Sequence, residues 1–212
     1  MRRPRRATAT AHGVTPKGYL PGVAEVLLFH HALGLTDGCR SFADELRAEG
    51  HVVHLPDLYD GRTFTELDDG IAWARSIGFE TISERGRRAA EALPCALVYA
   101  GFSLGVSPAQ RLAQTRDGAR GALFFYACFP PDEFGAWPRG VPVQVHAMEG
   151  DEWFDEDLPG ARELVASASP DAVLYLYPGD RHLFADPSTS DYDADAAALL
   201  LRRVLAFLAA LP

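Results

Sequence analysis

The sequence predicts an open, mostly parallel α/β sheet with helices on both faces. Three observations carry this. Six short apolar runs rich in Val, Leu, Phe and Tyr recur along the chain, stretches with helical spacing lie between them, and no repeat, low-complexity tract or linker interrupts the pattern after residue 24. Apolar runs that do not alternate with polar residues suit strands buried on both faces of a parallel sheet. Strand–helix alternation then places helices on both sides of it. A chain of 212 residues, 48% of them apolar, can bury one continuous core, and residues 24–212 read as one domain.

The runs, in order, are "EVLLFH" (25–30), "HVVHLPD" (51–57), "CALVYAGF" (95–102), "GALFFYAC" (121–128), "VPVQVHAM" (141–148) and "AVLYLYPG" (172–179). After the first comes "TDGCRSFADELRAEG", which opens on a Thr/Asp capping position, lines up Phe42, Ala43 and Leu46, and stops at Gly50. "VSPAQRLAQTR" follows the third run. The last helix, "DADAAALLLRRVLAFLAAL", sets Ala197, Leu200, Leu201, Val204 and Leu208 on one stripe and is expected to turn Arg202 and Arg203 outward. Segments 58–79, 129–140 and 152–158 read as loops bounding a shallow site.

Charge and cysteine usage narrow the function classes. The net charge is −9, yet residues 1–23 carry Arg2, Arg3, Arg5, Arg6 and Lys17 with no acid, leaving −14 on the remainder. A body this acidic disfavours nucleic acid as a partner. The basic start has no apolar stretch behind it, so it fails as a secretory signal and reads as a disordered extension. No run is long enough to span a bilayer. Cys39, Cys95 and Cys128 form neither a disulfide framework nor a metal clip, which suits a reducing cytoplasm.

The chemistry centres on "YAGFSLGVS", residues 99–107. Gly101-Phe-Ser103-Leu-Gly105 stands between a strand and a helix, where a G-x-S-x-G pattern makes a nucleophile elbow. The tight turn crowds side chains on either side of the serine, hence the glycines. The helix start also offers the Leu104 N–H to a developing oxyanion. The competing reading is a serine that caps the helix.

A serine hydroxyl needs a base, and the base an orienting acid. In chain order Ser, acid, His, only His146 and His182 follow Ser103. His146 lies inside a strand; His182, in "YPGDRHLFAD", falls between the last strand and the last helix. For the acid, "EGDEWFDED" offers Glu149, Asp151, Glu152, Asp155, Glu156 and Asp157. Asp151, directly after the strand and Gly150, fits the template best, and the others read as a solvated acidic loop.

The order Ser103, Asp151, His182, the absence of a cap-sized insertion, and "FHHALGLTDGCRSFADELRAEGHVVHLPDLYDGRT" (29–63) together resemble the dienelactone hydrolase family of α/β-hydrolases. The resemblance covers roughly residues 24 to 210. It implies an α/β-hydrolase fold without a cap domain, hydrolysis of a small ester, lactone or thioester through an acyl-enzyme, and a second oxyanion donor at the Ala32 N–H. Two departures stand out. The name-giving enzymes of that family use cysteine where this chain has Ser103, replacing a self-activating thiolate with a hydroxyl dependent on His182. They also hold the substrate's carboxylate with an arginine four residues after the catalytic histidine; that position here is Asp186, and the family's first-loop glutamate is His31. An aspartate there would repel such a carboxylate, so dienelactone itself is not expected.

Other features weigh less. Adjacent His30 and His31 point to opposite faces of a strand and ill suit one metal ion; His31 is expected at the site mouth and His30 packed. Arg62, Trp153 and Phe184 are candidate pocket residues, Arg62 with a surface position as its alternative. "GFSLG" lacks the lysine of a phosphate loop and the spacing of a dinucleotide turn, so no cofactor is expected. The chain therefore reads as a serine hydrolase acting on a small molecule as a monomer or weak homodimer. The alternative is an α/β-hydrolase fold that binds a ligand without turnover.

Overall fold

In the computed structural model, which describes residues 22–211, six strands form one sheet in the order β2-β1-β3-β4-β5-β6, every neighbouring pair parallel. The strands are β1 (Glu25–Phe29), β2 (Val52–His54), β3 (Val98–Phe102), β4 (Gly121–Phe125), β5 (Val143–Met148) and β6 (Ala172–Tyr177). Each coincides with one apolar run of the sequence. The central strands β3, β4 and β5 are buried at every residue, as a sheet covered on both sides requires.

The helices divide between the faces. Helix α1 (Asp37–Ala48) and the last helix, α7 (Ala194–Ala210), cover one side, packing Phe42, Leu46, Leu200, Val204 and Leu208 against Val26, Leu28, Val98 and Ala100. Helices α2 (Leu67–Ile77), α3 (Phe79–Glu91), α4 (Val106–Thr115) and α6 (Leu158–Ala168) cover the other, bringing Ala74, Ile82, Val106, Leu112 and Leu164 against Leu27, Phe29, Tyr99 and Phe124. Successive strand residues serve opposite cores, so the period of two is present but hidden by burial on both sides.

Two expectations are corrected. Segments 58–79 and 152–158 are not wholly loop: the first folds α2 and the second a single-turn helix, α5 (Glu152–Asp155). Gly70 obscured α2, and it is there for a steric reason, since a Cβ would stand 2.2 Å from the Ala32 carbonyl oxygen. Arg203 does not turn outward; its guanidinium lies 4.1 Å from the Tyr175 ring centre and 4.8 Å from that of Tyr177.

The topology locates the site. From β1 the chain crosses by α1 on one face to β2, then returns by α2 and α3 on the other face to β3, so the winding reverses between β1 and β3. Beyond the carboxyl ends of the strands at such a reversal lies the crevice used for ligands in open parallel sheets. Among the described residues, no helix is long and apolar enough to cross a membrane. The basic segment 1–23 lies outside the described residues apart from its last two.

Candidate active site

Strand β3 runs into a single 3₁₀ turn, Ser103–Gly105, and then α4. Ser103 takes φ +47°, a left-handed conformation that non-glycine residues adopt rarely and at a cost of order 1–3 kcal/mol. The glycines make the turn sterically possible. A Cβ on Gly101 would sit 2.2 Å from the Gly105 carbonyl oxygen, and one on Gly105 would sit 2.6 Å from the oxygens of Phe29 and His30. The alternative of a capping serine fails here, since no side chain caps either the turn or α4.

Asp151 and His182 come from neighbouring strand ends. The N–H groups of Glu149 and Gly150 donate to the carbonyls of Tyr177 and Gly179 at 2.8 and 2.9 Å, tying the segment after β5 to the one after β6. The Oδ1 atom of Asp151 caps α5 by accepting the Trp153 N–H at 3.0 Å, which leaves Oδ2 for the Nδ1 of His182 at 2.8 Å. On the other side of the ring, Nε2 lies 2.8 Å from Ser103 Oγ. Asp151 is 1% exposed and His182 6%. Because an ionised carboxylate only accepts, the ring proton sits on Nδ1 and Nε2 is free to accept from the serine.

Supporting contacts hold the histidine loop. Tyr126, also left-handed at φ +68°, accepts the Ala185 N–H on its hydroxyl at 3.1 Å and stands 5.7 Å from the His182 ring. Trp153, half exposed, flanks that ring at 6.0 Å. In the β1–β3 ladder Phe29 pairs with Gly101, so the segments that carry Ala32 and Leu104 leave the ends of neighbouring strands.

Several predicted site residues take other positions. His31 is 1% exposed and does not open at the mouth: Nε2 donates to Asp186 Oδ2 at 2.7 Å and stands 3.4 Å from Cys39 Sγ, while Nδ1 accepts the Leu33 N–H at 3.3 Å. Burial opposes charging this ring, but the Cys39 sulfur and the Asp186 carboxylate more than offset it and raise its pKa to about 9; a second proton would displace the Leu33 bond. Nor is Asp186 a free carboxylate facing a ligand. It accepts from His31 and Thr36 on Oδ2, both at 2.7 Å, and from the N–H and hydroxyl of Ser188 on Oδ1 at 2.7 and 2.5 Å. His31, Cys39 and Asp186 bring N, S and O atoms within 4.8 Å of one another, with the carboxylate taken up by the hydrogen bonds to His31, Thr36 and Ser188.

Phe184 is fully buried between Tyr126 and Tyr177, both ring centres 5.1 Å away, and belongs to the core rather than a pocket. Arg62 is exposed and stacks on Trp73 at 4.4 Å. His30 is packed: its Nε2 accepts the Leu58 N–H at 2.9 Å, and burial lowers its pKa to about 4. Asp157 departs from the solvated loop expected of it, accepting the Cys128 N–H at 3.1 Å, with burial raising its carboxyl pKa. Nothing local in the sequence marked it, because its partner is 29 residues away.

The chain is similar to proteins that share this arrangement of strands. The dienelactone hydrolase family's sequence pattern matches residues 10–211. A protein of Azospirillum brasilense named "Putative carboxymethylenebutenolidase" is 24% identical, over 93% of this chain and 91% of its own. A dienelactone hydrolase-like promiscuous phosphotriesterase from metagenomic libraries superposes with a TM-score of 0.70 at 19% identity, over 89% of this chain and 86% of its own. An esterase of Pyrobaculum calidifontis does so with a TM-score of 0.60 at 15% identity, over 88% and 76%. The structural likenesses carry the α/β-hydrolase fold, and the match across nearly the whole chain carries the descent: this protein belongs to the dienelactone hydrolase family.

Proposed function

We propose that this protein is a serine hydrolase that cleaves a small, neutral ester, lactone or thioester through an acyl-enzyme. The observation that carries the reading is the unbroken line Ser103 Oγ–His182 Nε2 and His182 Nδ1–Asp151 Oδ2, both links 2.8 Å, at the crevice where β1 and β3 diverge. Ser103 is the nucleophile, His182 the base and then the acid, and Asp151 the group that fixes the tautomer and stabilises the imidazolium.

The reaction follows from the geometry. As Ser103 Oγ bonds to the substrate carbonyl carbon, its proton passes to Nε2. The negative charge forming on the carbonyl oxygen is met by the N–H groups of Leu104 and Ala32. Collapse of the adduct expels the alcohol or thiol, which leaves with the proton from Nε2. Water then attacks the acyl-serine, gives its proton to Nε2, and the acid departs as Ser103 is reprotonated. A hydroxyl has no reactive thiolate to fall back on, so every step runs through His182.

Position 186 bears on the substrate class through the cation it lacks. Where the family's name-giving enzymes present an arginine, this chain has a carboxylate already taken up by four donors. It offers no cation to a substrate carboxylate. Free Cys39, Cys95 and Cys128 fit a reducing cytoplasm, and a monomer or weak homodimer acting on a small molecule suits a site formed within one chain.

The test is a panel of neutral p-nitrophenyl esters and small lactones with wild-type and Ser103→Ala protein. Turnover that vanishes in Ser103→Ala supports the reading. Failure of every substrate in the wild-type protein would favour a fold that binds without turnover.

A further inference from the structure

A cleft of about 490 Å³, not apparent from the sequence, is lined by Leu104, the residue that follows the proposed nucleophile. Its apolar walls are Phe79, Leu104, Phe129 and Phe134; Ser107 and Arg111 continue it along α4. Phe129 and Phe134 meet edge to face at 5.5 Å, and Phe79, at the start of α3, is 51% exposed at the rim. Leu104, Ser107 and Arg111 are spaced three and four apart, one face of the helix that begins at the elbow. At a rise of 1.5 Å per residue the cleft runs roughly 10 Å from Leu104 to Arg111.

We propose that this cleft seats the acyl group of the substrate and selects a neutral, apolar acyl group of about six to eight carbons or one aromatic ring. The assignment rests on the reading of Ser103 and His182 given above. His182 must protonate the departing oxygen, so the leaving group lies on the His182 and Trp153 side of the new tetrahedral carbon. None of the cleft's lining residues comes from the loops that carry Asp151 or His182. It opens instead from Leu104, to whose N–H the proposed mechanism assigns the oxyanion, and so receives the other substituent of the carbonyl carbon. Its charged lining disfavours an acidic tail: Arg111 Nη1 donates to Glu80 Oε1 and to Ser83 Oγ, each at 3.0 Å, and Glu133 adds a second carboxylate against the one guanidinium. A volume near 490 Å³ falls within the range of small-ligand sites, and three aromatic walls favour a flat or branched apolar group.

The experiment holds the alcohol constant as p-nitrophenol and varies the acyl group through acetyl, butyryl, hexanoyl, octanoyl, dodecanoyl and benzoyl, in wild-type, Ser107→Trp and Phe134→Ala proteins. Wild-type kcat/KM should peak at hexanoyl, octanoyl or benzoyl. Ser107→Trp, which fills the cleft, should lower the hexanoyl-to-acetyl ratio at least tenfold, and Phe134→Ala should shift the optimum to longer chains. Labelling of Ser103 by a small fluorophosphonate runs alongside. An unchanged acyl ratio in both variants with labelling intact would overturn the cleft assignment and leave the nucleophile in place. Absence of labelling in the wild-type protein would remove the underlying reading, and the cleft assignment with it.

Discussion

His31 Nε2 reaches Asp186 Oδ2 at 2.7 Å across 155 residues of sequence, joining the loop after β1 to the loop that carries His182. The pair is buried and its carboxylate also holds Thr36 and Ser188. Removing it strands several donors at once. Asp186→Ala should therefore lose about 3–5 kcal/mol of unfolding free energy, and Asp186→Asn, which keeps an acceptor oxygen, distinctly less. Urea unfolding of both variants checks this; equal, small losses would show that the cluster does not hold the two loops together.

The residue at position 186 also bears on substrate charge. With no cation at position 186, a neutral ester should be cleaved at least tenfold faster, by kcat/KM, than the same ester bearing a carboxylate on its acyl group. Equal rates would mean that another cation of the protein serves the substrate.

The proposed nucleophile and base should act as a unit. Ser103→Ala and His182→Ala should each reduce turnover on the order of a thousandfold or more, and the double variant should lose little beyond either one. Multiplying losses would place the two residues in separate steps.

Two buried histidines predict acid sensitivity. Burial lowers the pKa of His146 to about 3 and of His30 to about 4, from an ordinary 6.5. In the unfolded chain both take protons near 6.5, so between there and pH 4 the unfolded state binds more protons and stability falls as pH falls. Each contributes about 1.4 kcal/mol per pH unit across that window. Urea midpoints at pH 7, 6 and 5 should decline accordingly, and His146→Gln should flatten the slope by about one proton. A slope unchanged by that substitution would mean that His146 titrates normally.

How much was legible follows from how local each signal is. The six strands announced themselves because burial on both faces makes each a continuous apolar run. Ser103 was marked by its glycines and by the strand–helix switch, and His182 and Asp151 by their places after β6 and β5. Helices α2 and α3 were not, since Gly70 and Gly86 interrupt their patterns for packing reasons that involve Ala32 and Pro108, far away in sequence. Asp186, His31 and Asp157 take their roles from partners 29 to 155 residues distant, and Phe184 reads the same in a core as in a pocket. The aromatic cleft is assembled from α3, α4 and the segment after β4, which no single stretch of sequence displays.

Ser103 is the residue proposed to form the acyl-enzyme. Its most direct test is intact-protein mass after reaction with a fluorophosphonate, followed by peptide mapping, on wild-type and Ser103→Ala proteins at neutral pH. One adduct per wild-type chain is expected, located at Ser103 and absent from Ser103→Ala. An adduct that survives in Ser103→Ala, or maps to any other residue, would contradict it.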